Sequence, residues 1–172
     1  QYYVLGYEDI IYVNAALQSN KIVGGFSYYD VDDSLKNIYY TNSDGTLYYN
    51  KLGGSTTSIK IKEDVSSFAV DPKGNTVYYI DDDNTLYAQK PTGKPKKIAD
   101  DVNYCVVSKD SVCLYVCNDD GTKGELYAYS GMGGKKMLCD DCYTVYCYPG
   151  TTYYTANYNM SDYCVDVYLS SK

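Results

Sequence analysis

Short apolar and aromatic runs alternate along this chain with clusters of Asp, Asn, Ser, Gly and Pro, and no apolar run of helical period and length separates them. Runs of β-branched and aromatic residues bounded by turn formers predict strands. The pattern is clearest over residues 64–97. Strands are predicted there at 65–70, 76–80 and 85–89, with a fourth short strand at 97–99. The turns fall at 72–75, 81–84 and 91–95. Prolines sit between strands, where no ladder donor is lost.

The flanking segments carry the same order of signals. Residues 26–63 predict strands at 27–31, 37–41, 46–50 and 58–61, with a turn at 42–45 in which Asp44-Gly45 suits a tight two-residue hairpin because both residues tolerate left-handed torsions. Residues 102–141 predict strands at 104–107, 111–117, 125–129 and 135–138, with a longer loop at 118–123. Residues 142–172 predict strands at 143–147, 152–156 and 164–169 around a long loop at 157–162, with no fourth strand. Residues 1–25 form an irregular opening unit with strands at 2–5, 9–13 and 21–23, and 14–20 as a loop or one helical turn.

Equivalent positions recur at nearly constant spacing. Tyr39-Tyr40, Tyr78-Tyr79, Leu114-Tyr115 and Tyr153-Tyr154 are 39, 36 and 39 residues apart. Leu47-Tyr48, Leu86-Tyr87, Leu126-Tyr127 and Val167-Tyr168 follow at 39, 40 and 41, and Asp64-Val65 recurs as Asp101-Val102 after 37. Such periods are those of propeller blades, each a small meander that cannot bury both faces alone and completes its core by radial stacking. Adjacent tyrosines put one ring on each side of a strand, as expected where both sheet faces are covered or where one ring lies at a wet rim. The expected fold is all-β: one β-propeller-like domain over 1–172, a small or incomplete ring of short four-stranded antiparallel blades. The incomplete first unit is 1–25, the blades are 26–63, 64–101 and 102–141, and the incomplete last blade is 142–172. A β-solenoid is the structural alternative. The opening segment is a candidate for the strand missing from the last unit.

At NIYYTNSDGTLYYNKLGG and NTVYYIDDDNTLYAQKPTGK the chain resembles bacterial propeller-repeat domains of the TolB-like and YWTD-like class, in particular tyrosine-rich domains of unknown function. The shared pattern is a strand ending in Tyr-Tyr, an Asp/Asn/Gly turn, Leu-Tyr, and a glycine-containing turn before a lysine-rich strand. The resemblance covers 26–138 well. The chain departs from the YWTD pattern in having no Trp. The resemblance implies a rigid binding or display scaffold, often outside the cytoplasm, and maps no catalytic residue onto this chain.

Composition narrows the chemistry. The chain has 172 residues, 25 Tyr, 2 Phe, no Trp and no His, and a formal charge of -7. The charge disfavours a nucleic-acid backbone binder, and Lys94, Lys96 and Lys97 are too few to alter that. No apolar run reaches the length of a membrane span. Absence of His removes Ser-His-Asp triads and His-based zinc sites. The carboxylates Asp30, Asp32 and Asp33, Asp81 to Asp83, and Asp119 and Asp120 lie beside turns, where capping and solvation account for them. Asp81, Asp83 and Asn84, or Asn118, Asp120 and Gly121, offer oxygens to Ca²⁺ but form no EF-hand loop.

All seven cysteines lie between Cys105 and Cys164. Free or packing thiols and one or more disulfides both remain open. Cys105 with Cys113, or Cys142 with Cys164, are candidate cross-sheet pairs. Cys139-Cys142 is a lone CxxC that would need two of the other cysteines to complete a zinc site. Asn159-Met160-Ser161 matches a glycosylation acceptor. Gly131 to Gly134 lack the ending of a phosphate loop and predict an interstrand turn.

No catalytic, cofactor-binding or metal-ligating residue is assigned and no cofactor is expected. The leading expectation is a noncatalytic binding or display scaffold, extracellular or at the cell surface, recognising protein or carbohydrate through rim loops rich in tyrosine. The alternatives are a structural segment of a larger surface or filamentous protein, with self-association or further blades, and a carboxylate-dependent hydrolase or lyase.

Overall fold

Strand and turn chemistry carry the whole architecture. The computed structural model describes residues 2–5, 9–13, 16–51, 57–117, 124–148, 151–159 and 164–169; side chains are described between Asp9 and Cys142, apart from Tyr12 and Asn20, and at Val145. Among the described residues there is no helix.

An opening sheet holds β1 (Tyr2–Leu5), β2 (Asp9–Val13) and β3 (Ser19–Gly24) in that order. The first blade holds β4 (Phe26–Val31), β5 (Asn37–Asn42), β6 (Leu47–Lys51) and β7 (Ile59–Lys62). The second holds β8 (Val65–Val70), β9 (Val77–Asp81), β10 (Leu86–Gln89) and β11 (Lys96–Ala99). A six-stranded sheet follows: β12 (Val102–Val107), β13 (Cys113–Cys117), β14 (Gly124–Ser130), β15 (Gly134–Tyr148), β16 (Thr151–Asn159) and β17 (Cys164–Leu169). Every neighbouring pair is antiparallel and every sheet is a meander in chain order. The fold is thus an all-β, propeller-like array.

Successive sheets bury their faces against one another, and the paired positions of the second strands show how. Tyr40 packs with Ile10 and Ile38 toward the opening sheet, whereas Tyr39 packs with Phe68, Val70 and Tyr79 of the second blade. Tyr78 then turns to Tyr115 and Tyr129 of the six-stranded sheet, while Tyr79 faces back to the first blade. Leu114 joins Leu126, Cys142 and Val145 on the far face. Side chains alternate across a strand, so two adjacent apolar residues serve two interfaces. All five residues of β9 are buried for this reason. Burial of one such large side chain stabilises the fold by about 1.5–3 kcal/mol.

Two polar devices tie neighbouring sheets at their ends. The amide of Val65 donates to the Gly45 carbonyl, and that of Val102 to the Asn84 carbonyl, so the turn after each second strand holds the first residue of the next sheet. Gly45 and Asn84 are left-handed there, and Asp64 and Asp101 just before the new sheets both have φ of 56°. Asp and Asn tolerate this region better than branched residues. At the other end, the Asp33 amide donates to the Pro72 carbonyl, and Ser111 Oγ donates to Asp71 Oδ1 at 2.6 Å.

Several boundaries differ from the sequence expectations. The hairpin at 42–46 has positive φ at Gly45 and not at Asp44, so it is not the two-residue form with both residues left-handed. Asn42 Oδ1 accepts from the amides of Asp44 and Thr46 and closes a wider turn. The strands expected at 135–138 and 143–147 are one, β15. It pairs with β14 along its first part and with β16 along its second, and Cys142 is the residue where it changes partner. Bulges beside that point let the strand bend. β16 continues through Asn159, into the expected loop at 157–162, and β3 begins at Ser19, within the expected loop at 14–20. The opening segment builds its own sheet: among the described residues β1 pairs with β2, and β1 and β17 are both edge strands.

Candidate functional site

A cleft of about 410 Å³ opens between the second blade and the end of β14. It is lined by Tyr78 on β9, Ala88 and Gln89 on β10, and Thr76 just before β9. Lys90, Gly93, Lys94 and Lys96 line it from the second blade, and Tyr129 and Gly131 from the end of β14 and the turn after it. The strand register explains the grouping. Ala88 lies opposite Tyr78 on one side and Lys96 on the other, so all three belong to the face turned toward the six-stranded sheet. The β10–β11 connection brings Lys94 over the same face, its turn closed by the Gly93 amide on the Lys90 carbonyl at 2.9 Å. No carboxylate is among the lining residues.

The Tyr129 ring meets Tyr78 edge-on, with centroids 6.4 Å apart and planes at 75°. Lys96 Nζ donates to the Tyr129 hydroxyl at 3.0 Å and lies 5.3 Å from the ring centroid. Tyr78 is 4% exposed. Burial first, and then Cys113, Asp71, Tyr129 and Cys105 around it, push its phenol above the ordinary range, so it remains a neutral hydroxyl. Among the described residues that hydroxyl has no hydrogen-bond partner.

The counterpart of this interface, between the first and second blades, shows what created the cleft. Tyr39, at the position of Tyr78, donates its hydroxyl to the Gly74 carbonyl at 3.0 Å. Gly74 has φ of 69°, and a Cβ there would come within 2.5 Å of Asn37 Nδ2. Ser111 takes the left-handed place of Gly74 in the next sheet and uses its hydroxyl on Asp71. Tyr78 is left without the equivalent bond. The positions paired with Ile38, Val77 and Cys113 are Asn50, Gln89 and Tyr129. Gln89 Oε1 accepts from the Tyr79 hydroxyl, and Asn50 Nδ2 shares Ser58 Oγ with the Tyr40 hydroxyl. With Tyr129 in place of an amide, the Tyr115 hydroxyl is buried without a partner, and the Tyr129 ring becomes the cleft wall.

The other expected chemistries resolve differently. Asp81, Asp82 and Asp83 hold carboxylate oxygens within 4.8 Å of one another, the only such triple among the described residues. Asp81 Oδ1 accepts from the Thr85 amide at 3.0 Å, so its carboxylate closes the turn. Asp32 Oδ1 likewise accepts from the Lys36 and Asn37 amides. Asp30 reaches across to the Val70 amide, while burial raises its pKa against its two backbone hydrogen bonds. Cys105 is a free thiol, which removes the Cys105–Cys113 bridge. It pairs with Tyr115, and Cys113 with Val107, so the two cysteines are diagonal rather than opposite. The side chain of Cys164, and with it the Cys142–Cys164 pair, lies outside the described residues, as do 118–123 and the Met160-Ser161 part of the acceptor pattern. Gly131 to Gly133 form the expected turn, with the Gly133 amide donating to Ser130 Oγ.

Sequence reasoning noticed Lys94 and Lys96 only as a weak basic cluster and Tyr78 only as packing. It missed Lys90 and Tyr129. The one available signal was the break in the series Asn50, Gln89, Tyr129, legible once the register is known. Lys97, the third lysine of the cluster, points elsewhere and pairs with Asp100 at 2.6 Å.

The fold defined by these sheets is that of β-propeller proteins. No protein-family model and no curated protein sequence matches the chain. Solved structures do. The dihydro-heme d1 dehydrogenase NirN in complex with DHE is similar with a TM-score of 0.61 and 10% identity, over 92% of this chain and 40% of that one. The Kuenenia stuttgartiensis hydrazine synthase is similar with a TM-score of 0.54 and 12% identity, over 84% and 49%. The WD40 domain of SCAP from fission yeast gives 0.50 and 13%, over 86% and 40%. At such identities the likeness shows the fold. The chain spans less than half the length of each of these structures. Among the described residues no helix is long and apolar enough to cross a membrane.

Proposed function

We propose that this chain is a noncatalytic recognition domain, a propeller-like scaffold that binds carbohydrate or protein at its rim. The observation that carries the reading is the cleft between the second blade and β14, walled by two tyrosines and three lysines. Aromatic rings with polar tips contribute large contact area at low conformational cost, and loops on a stacked sheet frame hold them in place. Membership of the tyrosine-rich bacterial propeller class and an extracellular or surface location belong to the same reading, supported by the sequence pattern over 26–138. So does the division into units at 26–63, 64–101, 102–141 and 142–172 after an opening unit at 1–25.

The test is a panel of immobilised oligosaccharides and purified surface proteins. Saturable binding that Tyr129→Ala or a Lys90→Gln/Lys94→Gln pair abolishes supports the reading. Binding indifferent to both changes, or no saturable binding to any member, defeats it. The second reading is a structural segment of a longer propeller, favoured by coverage of 40% to 49% of the similar structures. Determination of the intact source protein separates the two.

A further inference from the structure

The cleft described above is unusual in its polar balance. Its lining is rich in donors: three ammonium groups, the hydroxyls of Tyr78 and Thr76 and the Gln89 amide nitrogen, with Gln89 Oε1 already accepting from Tyr79 and the Tyr129 hydroxyl from Lys96. It offers no carboxylate acceptor. The whole chain carries a charge of -7, so three lysines around one concavity are a local reversal of sign. A cleft lined by one sign of charge concentrates the field at its mouth. A donor-rich site fits a ligand rich in acceptors and negative in charge. Lysine is a compact, rotatable point charge rather than the rigid fork that selects a planar bidentate partner, so the charge need not approach in one orientation.

Size and walls narrow the class further. About 410 Å³ lies in the lower part of the range of small-ligand sites, roughly 300–1,000 Å³. The edge-on pair Tyr78 and Tyr129, 4% and 7% exposed, borders the cleft with little ring area open, and the hydroxyls of Tyr78 and Thr76 suit the oxygens of a sugar ring. Tyr78 is the second observation: a residue 4% exposed that lines the cavity and whose hydroxyl has no partner among the described residues. In the interface one blade earlier the same position is satisfied by Gly74.

We propose that the cleft binds an acidic saccharide of the uronate class, its carboxylate held by Lys90, Lys94 and Lys96 and its ring against Tyr78 and Tyr129. This rests on the recognition reading above and specifies its ligand.

The experiment is calorimetric titration of the full chain with galacturonate, glucuronate and mannuronate disaccharides and with their methyl esters, which keep the sugar and remove the charge. At least one acid should bind, at least about tenfold more tightly than its ester, and more weakly as salt is raised. Lys90→Gln and Lys94→Gln should each weaken the acid threefold or more and leave the ester unchanged. Tyr78→Phe removes a hydroxyl that the fold does not use; it should weaken acid and ester together while the melting temperature holds. Lys97→Gln, on the other side of β11, should change neither. Equal binding of acid and ester overturns the charge assignment and leaves carbohydrate recognition standing. Binding of inorganic phosphate as tight as that of any acid overturns the sugar assignment. Failure of all six disaccharides overturns the proposal, and the wider recognition reading then stands or falls on the panel described above.

Discussion

The interface between the two four-stranded blades and the one that follows it are built from equivalent strands and end differently. In the first, the hydroxyls of Tyr39, Tyr49 and Tyr79 donate to the Gly74 carbonyl, Asn37 Oδ1 and Gln89 Oε1. In the second, the Tyr115 hydroxyl is buried without a partner among the described residues, Tyr78 lines a cleft, and the Tyr129 hydroxyl accepts from Lys96. The apolar part is alike in both, with stacked pairs Tyr79–Tyr87 and Tyr115–Tyr127 at centroid distances of 5.4 and 5.5 Å. Apolar packing therefore sets the spacing of the sheets, and polar pairing decides whether the space between them is closed. A closed interface is a structural joint; an interface with unused donors leaves them open to solvent, which is where the proposed ligand is placed.

That contrast can be broken at its strongest point first. Tyr39 is fully buried and ties both sheets, so Tyr39→Ala should lower unfolding free energy by about 3–5 kcal/mol in urea denaturation. A loss below about 1 kcal/mol would mean that the joint does not depend on its ring. Gly74→Ala comes next. The added methyl would meet Asn37 Nδ2 and Asp32 at a left-handed position, and overpacking of this kind costs about 1–3 kcal/mol. Ser111→Ala, at the equivalent place, should cost less by the same measurement, because Ser111 already carries a Cβ and loses one hydrogen bond to Asp71.

The hydroxyls give a finer comparison. Tyr79→Phe leaves Gln89 without its partner and should cost about 1 kcal/mol. Tyr115→Phe removes an unpaired buried hydroxyl and should be neutral or slightly stabilising. Equal losses from the two would refute the distinction between the interfaces. The smallest effect is acidic. Burial alone would raise the pKa of Asp32, but hydrogen bonds from Ser34, Asn37 and Lys36 outweigh it and lower it. Its folded pKa is below its unfolded value, so its contribution is complete above the ordinary carboxylate range and is lost as pH falls through the depressed value. Melting temperatures followed from neutral to acid pH should decline less steeply in Asp32→Asn than in the parent.

Much of the frame was legible in local patterns. Tyr39-Tyr40 and Tyr78-Tyr79 announced strands covered on both faces, and they are. The recurrence of Asp64-Val65 as Asp101-Val102 marked a real device, a left-handed residue before an amide that bonds the previous sheet's turn. Asp81 read correctly as a turn residue. The joining of two expected strands into β15 was not legible, because it depends on two different partners meeting one strand at Cys142. Nor was the thiol state of Cys105, which depends on register across β12 and β13.

The sequence by itself determined the all-β class, the order of strands and turns, and which positions are apolar on both sides. These follow from alternation and turn torsions, which act over a few residues. Only the tertiary structure decided which hydroxyl finds an acceptor and where lysines gather. Tyr78, Lys96 and Tyr129 are distant in the chain and meet only when two sheets stack in register. Hydrogen bonds need partners within about 3 Å, so a single exchange of an amide for Tyr129 changes the chemistry of an interface while leaving the strand pattern unaltered.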